Sequence, residues 1–165
     1  MNEFEKILEE NEKILFETKP VFWPFFLNSA GAMIIGIPFL VLGIIFIVYF
    51  GGSNKLVFLV PHFLFGLALI FLTPVYRWRA HKVTHYAITN KRVMLQQGII
   101  GRDFQSINFG KIVNASVDVG LLDKLFGNSS GSIRFATAGF SEDIYFLNVD
   151  NPYEVFKFFK KTSHF

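Results

Sequence analysis

Residues 25–50 read FFLNSAGAMIIGIPFLVLGIIFIVYF, and residues 56–76 read LVFLVPHFLFGLALIFLTPVY. Neither run holds a formally charged side chain; the first carries sixteen Leu, Ile, Val or Phe and the second fourteen. At about 0.3 to 0.6 kcal/mol apiece, the sixteen favour insertion into a bilayer by about 5 to 10 kcal/mol before polar residues are counted. The second run has about the twenty residues that a helix needs to cross a hydrocarbon core, and Pro61, His62 and Pro74 weaken it without abolishing it. Two buried helices of a soluble protein would need a core far larger than the remaining polar residues can cover. Two membrane spans are therefore expected.

Only Gly51, Gly52, Ser53, Asn54 and Lys55 separate the runs, so the spans must be antiparallel neighbours with both chain ends on one side. Arg77, Arg79 and Lys82 follow the second span, with Lys91 and Arg92 close behind, whereas the connecting turn offers a single Lys. By the positive-inside rule both termini are cytoplasmic, in a multi-pass protein of the cell membrane. Trp23, Tyr76 and Trp78 then fall near the same interface, where amphipathic rings prefer to sit. Small residues Ser29, Gly31, Ala32 and Gly36 on the first span, with Gly66 and Ala68 on the second, favour close helix contact. His62 is the only ionisable side chain within the spans. Its place near the start of the second puts it at the outer interface rather than in a proton relay.

Composition agrees. Of 165 residues 52% are hydrophobic and 18% aromatic, and the charges gather toward the ends. Residues 1–19 hold six Glu and three Lys, a density of charge foreign to a cleavable signal peptide. From Arg77 onward twelve Lys or Arg face seven Asp or Glu, an excess of five. That excess is too scattered for the dense basic face of a nucleic-acid binder, and anionic lipid is the more natural partner. The chain has no cysteine, which excludes disulfides, thiolate metal sites and cysteine nucleophiles.

Beyond Tyr76 the pattern turns to short alternating segments split by turn residues, as in antiparallel β structure. Val113, Ala115, Val117 and Val119 alternate with Asn114, Ser116 and Asp118 in a strand over 112–119. Further strands are read at about 82–89, 92–98, 102–109, 132–138 and 144–149. Turns are expected at Asn90–Lys91 and over 98–101, 127–131 and 139–142. A C-terminal helix follows, with Asn151 as cap, Pro152 first and Glu154 at capping-box spacing. Its apolar stripe of Val155, Phe156 and Phe159 suits it to plug one end of a small sheet or barrel. Gly120 to Gly127 reads as a short apolar connection. The organisation is thus an N-terminal segment over 1–24, a hairpin over 25–76 (spans at about 25–50 and 56–76) and a domain over 77–165.

Several of these stretches carry a resemblance: Tyr86-Ala-Ile-Thr-Asn-Lys-Arg-Val93, Gly98-Ile-Ile-Gly-Arg102, Lys111-Ile-Val-Asn-Ala-Ser-Val117, the Gly120–Gly127 segment, and Glu12-Lys-Ile-Leu-Phe-Glu-Thr-Lys-Pro20 before the first span. Together with the double span they resemble the bacterial pleckstrin-homology (PH) domain family of YdbS-like membrane proteins. The resemblance implies an α+β membrane protein: an antiparallel transmembrane hairpin plus a PH-like split β-barrel closed by the C-terminal helix. It implies little about biochemical role.

No catalytic combination is present in the sequence. His81 and His85 are four apart and lack both a third ligand and the HExxH pattern; they read as interfacial histidines. Asp118 and Asp123 read as turn and strand-edge residues, and Gly127-Asn-Ser-Ser-Gly131 lacks the lysine of a phosphate loop. The remaining constellation is basic: Arg77, Arg79 and Lys82 beside Trp78, with Lys91 and Arg92 at the first β turn of the domain. Eukaryotic PH domains grip phosphoinositide headgroups near such a turn, and a Lys-Arg pair suits phosphate. The same residues also serve simply to fix topology. The expected function is a non-enzymatic, membrane-anchored interaction or scaffold module that binds a protein partner or copies of itself, in envelope integrity or membrane stress. It needs no cofactor, metal or nucleic acid. The alternative is anionic-headgroup binding through those five basic residues.

Overall fold

A computed structural model describes residues 3–28, 30–49, 55–125, 130–138 and 143–163. The turn expected over 139–142 lies outside them, as do Ser29 and residues 127–129 of the turn expected over 127–131, whose Ser130 and Gly131 instead open a strand. The chain divides into two compact units, Met1–Phe25 with Ala80–Phe165, and Phe26–Arg79. The sheet-forming unit is therefore discontinuous, and the apolar hairpin is inserted within it.

Uncharged runs too long for a strand become helix, because in them every backbone polar group is satisfied internally. A short helix α1 (Phe22–Leu27) precedes α2 (Ala30–Tyr49), and α3 (Lys55–Leu67) passes through a π-helical turn at Ala68–Leu72 into α4 (Thr73–Val83). Two stretches, Phe22–Ile45 and Val60–Val83, are long and apolar enough to cross a membrane. α2 and α3 pack side by side, and their sense is antiparallel. Gly36 lies against Ile70, whereas Phe39 further along α2 meets Phe65, with ring centroids 4.9 Å apart. The crossing point is built on two glycines: a Cβ on Gly66 would stand 3.0 Å from the Gly36 carbonyl oxygen, and one on Gly36 3.1 Å from that of Gly66. Gly31, read alongside them as a small contact residue, faces open space.

In the other unit, β1 (Ile14–Thr18), β2 (His85–Thr89), β3 (Arg92–Gln97) and β4 (Asp103–Asn108) form one antiparallel sheet in that order. A second sheet contains β5 (Ile112–Asp118), β6 (Ser130–Thr137) and β7 (Ile144–Asp150). β1 was not legible in the sequence. It pairs with β2 through Phe16↔Ile88, Glu17↔Ala87 and Thr18↔Tyr86, across the whole hairpin. The strand expected from Lys82 begins only at His85. The helix runs on to Val83; the Thr84 N–H makes a last helical bond to the Ala80 carbonyl (2.9 Å), and its hydroxyl donates to the same oxygen (2.8 Å). The basic residues after the second apolar run do not mark the end of the helix.

The core lies between the sheets, where Tyr86, Ile88, Val93, Ile133, Phe135, Phe146 and Phe159 are buried. Tyr86 stacks on Phe146 at 4.6 Å, and Phe135 meets Phe146 and Phe159 edge-on at 5.0 and 4.8 Å. Phe159 and Val155 come from the C-terminal helix α6 (Pro152–Ser163), which closes over this cluster. The Asn151 carbonyl accepts the N–H groups of Glu154 and Val155, from a left-handed backbone at φ 47°. The Gly120 connection contains a short helix, α5 (Leu121–Leu125). Buried Asp123 pins it, accepting from Ser130 (2.5 Å), Asn148 (3.0 Å) and the Gly120 N–H (3.1 Å).

Candidate functional site: a basic turn under an acidic strap

Residues 3–13 lie across the outer face of the four-stranded sheet. Phe4 is fully buried there in a second small core with Ala87 and Met94, flanked by Ile7, Leu8, Ile14 and Phe104. The polar residues of this strap meet the β2–β3 turn. Lys13 N–H donates to Asn90 Oδ1 (2.9 Å), Asn90 N–H to the Lys13 carbonyl (3.2 Å) and Asn90 Nδ2 to the Asn11 carbonyl (3.1 Å). Asn11 turns the strap in a left-handed conformation at φ 61°.

Arg92 is the centre of the site. Its Nε and Nη2 donate to Glu12 Oε1 and Oε2 at 2.9 and 2.8 Å, and Nη2 also reaches the Ile7 carbonyl at 2.9 Å. This is the parallel two-bond fork in which a guanidinium matches a carboxylate best. The Glu12 side chain has no exposure to solvent, and that of Arg92 only 13%. Burial alone pushes the Glu12 carboxyl up. The hydrogen bonds from Arg92, Glu9 N–H (2.9 Å) and the Thr89 hydroxyl (2.7 Å) outweigh burial and hold it down at about 2. Lys91 donates to Glu9 Oε2 (3.3 Å) and to the Glu10 carbonyl (3.0 Å), and Arg102 stands 3.6 Å from Glu3.

Thus Lys91 and Arg92 are brought together, and each faces an acid of the strap. Arg77, Arg79 and Lys82 lie on the last two turns of α4, and Trp23, Tyr76 and Trp78 are exposed. His81 and His85 do not share a strand face. His81, on α4, has Nε2 2.9 Å from the Pro20 carbonyl, with Phe22 and Phe25 beside its ring. His85, on β2, is 1% exposed; its Nδ1 is 3.2 Å from Glu17, while Nε2 is buried without a partner among the described residues. Burial pushes the His85 pKa down against the opposing pull of Glu17. His62 lines a cavity of about 250 Å³ with Phe39, Pro61 and Phe65. Among the described residues, no three of His, Cys, Asp and Glu stand together as metal ligands. The strap acids Glu3, Glu9 and Glu12, which pair with Arg102, Lys91 and Arg92, were passed over by sequence reasoning. Their only signal was the acidic balance of the first nineteen residues against the basic remainder.

Two sheets of four and three antiparallel strands, closed over by a C-terminal helix, set the frame for comparison. A family model described as Bacterial PH domain (bPH_2) matches residues 25–162. The chain belongs to the bacterial PH domain family. In this bacterial PH domain protein the family match starts within α1 and ends in α6, so the strap and β1 precede it. A pleckstrin homology domain from Shewanella amazonensis SB2B is similar at 12% identity, with 98% of this chain and 93% of that one covered and a TM-score of 0.45. A DUF1696 family protein with a pleckstrin-homology domain from Shewanella loihica PV-4 is similar at 13% identity over 48% of this chain and 71% of that one, with a TM-score of 0.37. No curated protein matches.

Proposed function

We propose that this bacterial PH domain protein is a non-catalytic, membrane-anchored interaction module. The apolar hairpin fixes the PH-type unit at the cell membrane, and that unit binds a protein partner or further copies of the chain, in envelope integrity or membrane stress. One observation carries the anchoring in this reading. β1, before the hairpin, and β2, after it, are hydrogen-bonded neighbours. If the two apolar helices cross a bilayer, that pairing requires both flanks to emerge on the same side. The excess of Lys and Arg after the second helix makes that side cytoplasmic. Anchoring raises local concentration, so weak contacts suffice for association.

The headgroup alternative is weaker at the turn. Arg92 is neutralised by Glu12 and Lys91 faces Glu9. The turn also closes the end of β2 opposite His85, where the chain arrives from α4, about 16 Å away at about 3.3 Å per residue. Arg77, Arg79 and Lys82 remain suited to nonspecific attraction to anionic lipid, about 1 kcal/mol each.

The cysteine-free chain makes the test direct. With single cysteines at Ser53→Cys or Ser163→Cys, an impermeant maleimide added to intact cells is expected to label the first and spare the second. Crosslinking in native membranes is expected to recover a partner or a multimer. Reversed labelling, release by alkaline carbonate, or recovery of the monomer alone overturns the reading.

A further inference from the structure

A groove of about 500 Å³ opens between β3–β4 and β7, lined by Leu95, Gln97, Gln105, Asp143, Tyr145 and Leu147. That size falls within the range of pre-formed ligand sites. Its chemistry is unusual for this basic protein, because the groove carries no net charge: Arg134 donates to Asp143 Oδ2 from Nε and Nη2 at 2.9 and 2.7 Å. The other Asp143 oxygen already accepts the Thr137 N–H at 3.1 Å.

What remains open is amide-like. The Gln97 and Gln105 carboxamides and the Tyr145 hydroxyl make no hydrogen bond among the described residues. The backbone adds a donor and an acceptor. Leu147 N–H donates to the Tyr86 hydroxyl (3.0 Å), which in turn donates to the Leu147 carbonyl (3.1 Å), so both backbone groups of Leu147 point away from β6. In an antiparallel strand the outward-facing residues alternate. Tyr145, two residues earlier and opposite Arg134 in the β6–β7 register, therefore turns its N–H and C=O to the same open edge. No ladder joins β7 to β3 or β4 among the described residues; Pro20 bridges Val149 and the Val21 N–H donates to the Asn148 carbonyl (2.7 Å) at the far end of β7, so the edge is open at Tyr145. Leu95 and Leu147 supply an apolar floor, and Arg134 lies 5.8 Å over the Tyr145 ring on the β6 side.

We infer that this groove binds an extended, uncharged polypeptide segment of a partner protein. The segment pairs with the Tyr145 edge of β7, its remaining amides are read by Gln97 and Gln105, and an aliphatic side chain rests on Leu95 and Leu147. Addition of a strand to an open edge obtains its affinity from main-chain hydrogen bonds and its specificity from alternate side-chain pockets. The inference rests on the interaction-module reading and gives it a surface.

The test uses the full chain in nanodiscs, panned with a displayed library of random heptapeptides against empty nanodiscs as control. Enriched uncharged peptides are expected to lose at least tenfold in affinity when alternate backbone amides are N-methylated, and equally on the Gln97→Ala/Gln105→Ala variant. A Lys157→Ala variant, on the exposed face of α6, is expected to bind them unchanged. The N-methyl series uses only the unmodified protein, so it stands even if the double variant folds poorly. No enrichment, indifference to N-methylation, or binding of maltotriose in place of peptide overturns the inference. Crosslinking in native membranes separates the two claims: a partner captured equally by wild type and Gln97→Ala/Gln105→Ala removes the groove and leaves the module reading intact.

Discussion

Replacing Glu12 by Gln keeps the size and most hydrogen-bonding shape of the side chain and removes its charge. In the folded protein that carboxyl is held at about 2 against an ordinary value of 4.5. At 1.36 kcal/mol for each pKa unit this corresponds to about 3 kcal/mol favouring the ionised form in the fold. The side chain is shielded from solvent, so the surface discount that reduces exposed ion pairs does not apply. Glu12→Gln also leaves the largely buried Arg92 with only the more distant Glu9, 3.8 Å away, as a counter-charge, a loss bounded by the roughly 3–5 kcal/mol that breaking a buried pair costs. For a unit of this size the loss lowers Tm by roughly 10 °C or more. The assay is thermal unfolding of the full chain in detergent, followed by near-ultraviolet circular dichroism, for wild type, Glu12→Gln, Arg92→Ala and the double variant. The sign with pH is fixed: a depressed carboxyl contributes stability that is complete above 4.5 and disappears as pH falls toward 2. Wild type is expected to lose stability across that window more steeply than Glu12→Gln. Equal Tm values at pH 7, or identical acid profiles, would refute the argument that the strap is held by this pair.

Three further outcomes are expected. Burial depresses the His85 pKa, so the neutral ring is favoured in the fold and His85 destabilises the unit as pH drops below 6.5; an NMR titration with a His85 midpoint at or above 6.5 would contradict this. Gly66→Leu drives a side chain toward the Gly36 carbonyl and Leu40, so α2 and α3 must separate at a cost of about 1–3 kcal/mol. Cysteine crosslinking between the two helices should fall sharply, and unchanged yield would mean that the glycine contact is dispensable. Changing Arg77, Arg79 and Lys82 together to Glu removes the nearest positive flank, and a cysteine at position 53 should then lose its exclusive labelling from outside; retained labelling would assign orientation to other residues.

Some of this protein was plain in the order of its residues. Uncharged runs of about twenty residues specify helices, and a short connection makes them neighbours, because both properties depend on local composition. The alternation of Val113, Ala115 and Val117 marked β5, and Pro152 with the Phe-rich stripe marked α6, for the same reason. Five of the six expected strands stand within two residues of their expected ends. The sixth, from Lys82, starts three residues late because a helix that leaves the apolar run has no Gly or Pro to stop it. The strap and β1 were decided elsewhere. Ile14–Thr18 becomes a strand only because β2, 67 residues further on, offers it an edge. Arg92 looked like a ligand for phosphate in its own stretch of sequence, and its actual anion, Glu12, stands 80 residues away. A guanidinium pairs with whichever carboxylate the fold brings to it. Local pattern determines which segments are apolar, alternating or basic, whereas the partner of each charge and each open strand edge is set by closure of the chain in three dimensions.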